Sequence, residues 1–367
     1  MFALIEEAIS QRSFPAAALA VTHDERLIAR KSFGRFAYEG DLRDSIPGPA
    51  TLFDLASVTK AAATTTMAMI LYERGLLELE APVAAAVPDF VTTAGASGRR
   101  RDKVTFRMLL AHSSGLPAYE KLFLRTRSRD ELLQAAITTP LAAEPGTRAV
   151  YSDIGFIVLG VGLERLAGEQ LDAFCQREIF GPLLMAKTTF NPPRDMRASI
   201  PPTADEREVA FGIGSSLREG RSTFRNRIIQ GEVQDENAFV LGGVAGHAGL
   251  FSTAEDTARF AQAMLRGGSP ILRPETVALF TQREALPEGT SRALGWDTPS
   301  APSQSGRFFG PRSFGHLGYT GTSIWVDPDR RLSITLLTNR TWPDCSNQAI
   351  KQVRPKICDA IIEALNR

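Results

Sequence analysis

Residues 53–61 read FDLASVTKA and place Ser57 three positions before Lys60. Residues i and i+3 of a helix lie on one face, so this hydroxyl and this amine can touch. A serine hydroxyl needs a neighbouring base to act as a nucleophile. A lysine amine becomes that base only when its pKa falls from about 10.4, and burial or a nearby cation lowers it by up to roughly 3 to 5 units. The stretch therefore predicts Ser57 as a nucleophile and Lys60 as its general base.

The surroundings of this pair matter, because Ser-x-x-Lys arises by chance on the order of once in a chain of this length. An exposed helix start is the simpler interpretation of the motif alone. However, Phe53, Leu55 and the segment AAATTTMAMIL at 61–71 are apolar or small. They predict a buried helix over 57–74 that ends at Gly75, where a lone lysine needs a reason. The first turn of that helix leaves the Ser57 N–H free for an oxyanion.

Strand-like segments stand at both ends of the chain, and the middle is mostly helical. Strands are predicted at 16–22, 27–33, 322–326 and 332–338, and terminal helices at 3–12 and 347–366. We expect an α+β fold in which the two ends join in one antiparallel sheet covered by the terminal helices. The predicted domains are a discontinuous sheet domain, an inserted mostly helical domain and an active site between them. Their ranges are 1–75 with 250–367, and 76–249.

A second candidate site is Tyr151-Ser152-Asp153, just before a predicted helix over 153–167. A tyrosine near a lysine amine can relay a proton as phenol or phenolate. Asp153 has a simpler role available as the N-cap of that helix, and Ser152 could equally be the cap. The sequence leaves the choice between the two caps open.

The third candidate site is the glycine-rich segment 316–323, HLGYTGTS, at the start of a predicted late hairpin. Glycines let a substrate backbone approach an edge strand closely. The N–H of Tyr319 could supply a second oxyanion donor. The alternative is a glycine-rich turn in which His316 has no special role.

The three sites, in the order Ser57, Tyr151 and His316, resemble the signature of the serine β-lactamase and penicillin-binding-protein superfamily. Further segments look like its class C β-lactamase branch, which includes esterases of the family VIII type and D-amino-acid peptidases. They are FDLASVTKA, TFRMLLAHSSGLPAY, YSDIGF, GGVAGHAGLFST, GHLGYTGTSIWVDP and LLTNR, and they span about residues 15–345. The resemblance implies a β-lactamase/transpeptidase-like fold and acyl transfer through a serine ester.

The resemblance also implies roles by position. Ser57 takes the place of the nucleophile, Lys60 that of its base, and Tyr151 that of the residue that assists proton transfer. The oxyanion and substrate-binding places fall on Tyr319, with the Ser57 N–H, and on His316, Gly318, Asp153 and Asn339. Asn339 is the place where class C enzymes have an asparagine near the substrate carboxylate.

Three positions depart from the family pattern. Asp153 replaces an asparagine, Leu317 a threonine and His316 a lysine. The losses are an amide donor, a hydroxyl and a fixed positive charge, the last becoming dependent on pH. A site with fewer such groups discriminates less strongly for a carboxylated amide. We therefore expect a carboxylesterase acting on small or short-acyl esters. The alternatives are a β-lactamase or D-amino-acid peptidase acting on amides, and, from another class, a non-catalytic penicillin-binding-like module.

Composition limits the partners. The 367 residues are 43% hydrophobic and 23% charged, with a net charge of +1, so no charge excess favours nucleic acid. Three cysteines without a Cys-x-x-Cys pair argue against a disulfide framework or a zinc cluster, and no cofactor or metal is expected. No signal peptide and no membrane span are recognised, which predicts a cytoplasmic protein, or a periplasmic one if a leader was removed. The oligomeric state is not predicted.

Overall fold

A computed structural model describes residues 1–91, 100–207 and 222–366 of the chain. Its strands, numbered in chain order, are β1 (Ala16–His23), β2 (Arg26–Gly34), β3 (Phe53–Asp54), β4 (Thr189–Phe190), β5 (Ala204–Asp205), β6 (Ile228–Ile229), β7 (Leu250–Ser252), β8 (Phe314–Leu317), β9 (Ser323–Asp327) and β10 (Leu332–Thr338).

A five-stranded antiparallel sheet joins the two ends of the chain in the order β2-β1-β10-β9-β8. Strand β1 pairs with β10 from Ala17 opposite Thr338 to His23 opposite Leu332. The predicted joining of the ends in one sheet is therefore confirmed. Strand β8 forms one edge of this sheet and runs into the segment that carries Gly318 and Tyr319.

The two faces of the sheet enter different hydrophobic clusters, as the two-residue period of a strand requires. Along β1, Ala16, Ala18 and Ala20 face the large central cluster. The alternate residues Ala17, Leu19 and Val21 face a second cluster with the terminal helices. The sheet is thus buried on both sides, and the fold is α+β, as expected from the sequence.

The main helices of the described residues are α1 (Phe2–Ser10), α2 (Thr66–Glu73), α3 (Phe106–Leu110), α4 (Arg129–Ile137), α5 (Asp153–Ala167), α6 (Leu171–Cys175), α7 (Glu236–Val240), α8 (Ala254–Leu265), α9 (Pro274–Thr281) and α10 (Ile350–Leu365). Helices α1 and α10 cover one face of the sheet, and α8 covers the other. The division into two domains stays a prediction.

The segment after Ser57 is not one α-helix as predicted. Residues Lys60–Thr65 form π-helical turns, and α2 follows them before the chain leaves the helix at Gly75, with φ +69°. Threonine hydroxyls donate hydrogen bonds to backbone carbonyls there. Thr66 Oγ1 donates to Ala61 O at 2.9 Å, and Thr64 Oγ1 donates to Gly246 O at 2.7 Å. Such π-helical insertions are frequent at functional sites.

Two helix starts show where the capping prediction works. Ser128 caps α4, its hydroxyl accepting the Glu131 N–H at 3.2 Å. Helix α5 is capped by Ser152, whose hydroxyl accepts the Gly155 N–H at 2.9 Å. The cap that the sequence left open is thus Ser152, and the carboxylate of Asp153 is available for another contact.

Candidate active site

Ser57 sits in a tight turn that the preceding residues hold in place. Ala56 has φ +47°, a left-handed conformation uncommon for a residue other than glycine. The Ala56 N–H donates to Asp54 Oδ1 at 2.8 Å, and the Gln234 N–H donates to Asp54 Oδ2 at 2.7 Å. Backbone strain of this kind persists only where surrounding contacts over-determine it. Asp54 therefore fixes the path of the backbone between the end of β3 and Ser57.

The Lys60 amine is fully buried one turn after Ser57. Its Nζ donates to Ser57 Oγ at 2.9 Å and to the His247 carbonyl at 2.9 Å. It also forms an ion pair with Asp153, Nζ lying 2.6 Å from Oδ1. The predicted contact between hydroxyl and amine is present, together with the carboxylate of Asp153, whose contact with Lys60 was not predicted from the sequence.

The charge state of Lys60 differs from the sequence-based expectation. Burial by itself lowers the pKa of this amine, but the charge of Asp153, assisted by Tyr151, outweighs it and raises the pKa of Lys60. The expected uncharged amine is therefore not the resting form. Instead, an ammonium group paired with a carboxylate lies beside the nucleophile.

Tyr151 adds a phenol to the same site. The Lys60 Nζ lies 4.9 Å from the centre of the Tyr151 ring. The ring packs at 4.5 Å from that of His112, whose Nδ1 accepts the Ser152 N–H at 3.0 Å. Burial raises the pKa of Tyr151 despite the opposing effect of the Lys60 charge, so this residue is present as the neutral phenol.

The turn after β8 is tied directly to the residues before Ser57. Thr320 Oγ1 donates to Asp54 O at 2.8 Å, and Thr322 Oγ1 donates to Leu55 O at 2.9 Å. A Cβ at Gly318 would collide with Thr322 Oγ1 and with Leu55 O. Glycine is therefore required at 318 because the two backbones approach closely.

This close approach brings the predicted oxyanion donors to one cavity. Ser57, Gly318 and Tyr319 all line it. Within the part of the chain that the structure describes, no backbone carbonyl accepts the N–H of Ser57 or of Tyr319. The Tyr319 side chain is 48% exposed at the cavity wall. Both N–H groups are thus available to a ligand.

His316 occupies the same wall as a buried neutral imidazole. Burial, followed by the charges of Lys60 and Arg292, lowers the pKa of His316 to about 3. Its Nδ1 lies 2.9 Å from the Leu317 carbonyl, which makes Nδ1 the protonated nitrogen. The positive charge that the sequence made conditional on pH is therefore absent at neutral pH.

Asn339 is the predicted site residue that the structure does not bring to the cavity. Its side chain is 1% exposed, and Oδ1 accepts the Ala16 N–H at 3.0 Å. Its Nδ2 donates to Phe36 O at 3.0 Å and to Pro202 O at 2.9 Å. These contacts engage both the oxygen and the nitrogen of the Asn339 amide. The side chain therefore holds backbone segments together at the position where a substrate carboxylate contact was expected.

The cavity itself has a volume of about 940 Å³. Its wall includes three arginines that were not among the predicted site residues, namely Arg292, Arg340 and Arg354. The guanidinium of Arg292 lies 5.1 Å from the Tyr151 ring centre. No local pattern marks any of these arginines, since each is one among many basic residues. In the described ranges, no group of three or more His, Cys, Asp or Glu side chains is arranged to hold a metal ion.

The chain belongs to the β-lactamase family, whose model matches residues 1–354. This is a family of serine β-lactamase-like hydrolases, as the order of the three motifs implied. In the described segments, no helix is both long and apolar enough to cross a membrane.

Two curated relatives are named for the cleavage of amides. The chain is 35% identical over 354 residues to the N-acetylmuramyl-L-alanine amidase of Bacillus subtilis (strain 168), covering 89% of this chain and 77% of the relative. It is 31% identical over 349 residues to a putative D-alanyl-D-alanine carboxypeptidase of Escherichia coli (strain K12), covering 89% and 79%.

Solved structures establish the fold. EstCE1, a hydrolase with promiscuous acyltransferase activity, superposes with a TM-score of 0.74 at 23% identity, covering 97% of both chains. The unliganded simvastatin synthase LovD of Aspergillus terreus, as its selenomethionyl derivative, reaches 0.72 at 23% identity, covering 98% of this chain and 96% of that one. The β-lactamase/transpeptidase-like fold expected from the sequence is therefore confirmed.

Proposed function

We propose that this protein is a serine hydrolase that forms an acyl-enzyme on Ser57 and that its natural substrate is an amide. The observation that carries the first half is the hydrogen bond of 2.9 Å from Lys60 Nζ to Ser57 Oγ in a buried site. Nucleophile and base in direct contact, with the base oriented by a third group, is the arrangement that nucleophilic catalysis requires. Here the third group is Asp153.

The ion pair means that the base must first be released. A bound substrate removes water from the Lys60–Asp153 pair, and a dry environment favours the neutral forms of two such groups. The proton then moves from Lys60 Nζ to Asp153 Oδ1 across 2.6 Å. The free amine is left in contact with the Ser57 hydroxyl.

Acyl transfer follows in balanced steps. Ser57 Oγ bonds to the substrate carbonyl carbon, its proton passes to Lys60, and the carbonyl electron pair becomes an oxyanion held by the N–H groups of Ser57 and Tyr319. Collapse breaks the bond to the leaving group, which takes a proton from Lys60 directly or through the Tyr151 phenol. Water then attacks the acyl carbon by the same route and releases the acid.

Three observations support an amide as the substrate. Both curated relatives described above are named for amide cleavage. The cavity of about 940 Å³ lies at the upper end of small-molecule sites, more than a short ester needs. Arg292 also places a guanidinium beside Tyr151, where an anionic group of a substrate would be attracted.

A small ester is the second candidate, and it is the substrate predicted from the sequence. Leu317 and the neutral His316 offer no cation and no hydroxyl at the positions where the family pattern has a lysine and a threonine. A wall with so few polar groups discriminates weakly between acyl groups, which suits an ester better than a carboxylated β-lactam.

A panel of substrates tests both halves of the proposal. Acid release is measured from N-acetylmuramyl-L-alanine, N-acetyl-D-alanyl-D-alanine, p-nitrophenyl acetate, p-nitrophenyl butyrate and nitrocefin. We expect a higher kcat/KM for one of the two amides than for the esters. Ser57→Ala should abolish turnover, whereas Ser346→Ala, at an exposed serine, should retain it. Turnover that survives Ser57→Ala would refute the assignment of Ser57 as the nucleophile.

The other candidate classes are outcomes of the same experiment. Preference for the p-nitrophenyl esters would favour the esterase, and rapid nitrocefin turnover would favour the β-lactamase. If a fluorophosphonate probe fails to label Ser57 in the folded wild type, the non-catalytic penicillin-binding-like module gains support.

A further inference from the structure

Arg354 is a buried cation that contacts the predicted oxyanion turn. It lies near the start of α10, and its residue is only 5% exposed. Its Nη2 donates to Gly318 O and to Thr322 O, both at 2.9 Å, and its Nε donates to Gly321 O at 3.2 Å. All three acceptors are backbone carbonyls of the turn between β8 and β9.

No Asp or Glu within the described ranges forms an ion pair with Arg354. Burial is the main cause that lowers the pKa of this guanidinium, to about 9, so it remains charged at neutral pH. A buried charge without a counter-charge is costly. The carbonyl dipoles compensate for only part of that cost, so its place in the fold calls for an explanation.

The peptide bond that Arg354 contacts explains it. The Gly318 carbonyl belongs to the same peptide group as the Tyr319 N–H, and in a trans peptide these two bonds point in opposite directions. With the guanidinium on the oxygen side, the N–H is directed away from α10. The segment before Ser57 is tied to the same turn by the bond from Thr322 Oγ1 to Leu55 O.

The same contact also changes the strength of the donor. A cation that hydrogen-bonds to a carbonyl polarises its peptide group and strengthens the N–H on the other end. Preorganised donors aimed at a developing oxyanion are usually the largest single contribution to acyl transfer.

We propose that Arg354 is a positioning residue that orients and polarises the Gly318–Tyr319 peptide so that the Tyr319 N–H stabilises the oxyanion formed at Ser57. The proposal rests on the proposed function, because it needs an oxyanion at Ser57. It extends that function by placing part of the electrostatic stabilisation in α10, behind the turn.

Arg340 provides a matched comparison in the same turn. Its Nε donates to Tyr319 O at 2.7 Å, and its Nη1 donates to Cys345 O at 3.2 Å and to Asn347 O at 3.1 Å. The Tyr319 carbonyl belongs to the next peptide group, not to the one that carries the Tyr319 N–H. Arg340 is 5% exposed, as is Arg354. Removing Arg340 therefore removes an equally buried cation that contacts this turn without touching the proposed donor's own peptide.

The experiment compares Arg354→Met, Arg354→Lys and Arg340→Met with the wild type. It measures kcat and KM for p-nitrophenyl butyrate, the inhibition constant of phenylboronic acid, and thermal unfolding. The boronic acid forms a tetrahedral anionic adduct with Ser57 Oγ, so its affinity reports on the oxyanion site. Fluorophosphonate labelling of Ser57 is measured in each variant.

We expect Arg354→Met to lower kcat by about 10- to 100-fold, less than the loss of a whole oxyanion donor. KM should change little, and boronic acid affinity should fall by a similar factor. Arg354→Lys should recover part of the loss, because it keeps the charge but not the fork of donors. Arg340→Met should lose less in kcat for the same loss of thermal stability.

Several results would overturn the proposal. Folded Arg354 variants whose kcat and boronic acid affinity match those of Arg340→Met would make Arg354 a structural clamp only. A higher KM at unchanged kcat would mean that Arg354 binds the ground-state substrate instead. If Arg354→Met does not fold, Arg354→Lys decides alone. Absence of Ser57 labelling in the wild type would remove the proposed function and this inference together, whereas labelling with unaffected variants removes only the inference.

Discussion

Lys60 and Arg354 are both buried cations, and they differ in their partners. Lys60 has a carboxylate, that of Asp153, at 2.6 Å, whereas Arg354 has only the carbonyls of one turn. Burial is the largest single influence on both groups, yet the pKa of Lys60 is raised and that of Arg354 is lowered to about 9. The partner, and not the burial, therefore decides the direction of the shift.

The difference also separates two roles. The Lys60–Asp153 pair can exchange a proton, because Lys60 Nζ and Asp153 Oδ1 lie only 2.6 Å apart. The guanidinium of Arg354 keeps its charge at neutral pH and can act only as a fixed charge and donor. The Lys60–Asp153 pair can therefore transfer a proton, whereas Arg354 provides a fixed positive charge.

Removing the Lys60 amine should have the largest effect on catalysis. Lys60→Met is expected to lower kcat/KM by about 10²- to 10⁴-fold, the range of a lost general base. Hydrolysis of p-nitrophenyl butyrate and fluorophosphonate labelling of Ser57 measure the loss. Lys31→Met, which removes a surface ion pair with Glu6, is the control. A folded Lys60→Met protein with near wild-type kcat/KM would show that another group takes the Ser57 proton.

Removing the partner should move the pH profile. Asp153 raises the pKa of Lys60, so in the free enzyme, before any proton passes to Asp153, the basic amine appears only as the pH rises through that raised value. Asp153→Asn should therefore shift the acidic limb of kcat/KM to lower pH. The other ionisable groups that act on or respond to Lys60, namely Tyr151, His112, Asp235 and His316, remain in the variant.

The matched control for this profile is Glu236→Gln, which neutralises another carboxylate of the cavity wall. It should leave the acidic limb within a few tenths of a pH unit of its wild-type position. If the limb does not move in Asp153→Asn, the group that titrates is not Lys60, and the contrast between the two cations loses its catalytic meaning.

Asn339 should show the smallest effect on catalysis. Its amide bonds only to backbone groups, so Asn339→Ala should lower the free energy of unfolding by about 1–3 kcal/mol, the cost of leaving buried groups unpaired. KM for the preferred substrate of the panel should stay within about twofold at temperatures where the variant is folded. Chemical denaturation and steady-state kinetics measure the two quantities. A large rise in KM without loss of stability would restore the substrate-binding role predicted from the sequence.

Much of the fold could be predicted because its signals are local. The short apolar run of β1 and the turn at 327–330 before β10 mark strands at both ends of the chain. The capping residue Ser128 marks the start of α4. The prediction failed where tertiary contacts replaced a local rule. The spacing of Ser252 to Glu255 matches the capping-box pattern for α8. However, Ser252 pairs in β7, and the next residue, Thr253, caps the helix by accepting the Asp256 N–H at 3.1 Å.

The sequence by itself predicted that Ser57 and Lys60 can touch, because residues three positions apart on a helical segment share one face. It also determined, through its ordered motifs, the family to which the chain belongs. Only the tertiary structure decided that Lys60 lies beside Asp153, that the Asn339 amide bonds to backbone groups, and that Arg354 contacts the Gly318 carbonyl. The physical reason is the distance along the chain over which each property is determined. Helix geometry follows from residues that are adjacent in the sequence. Charge state and hydrogen-bond partners depend instead on groups that folding brings in from distant parts of the chain.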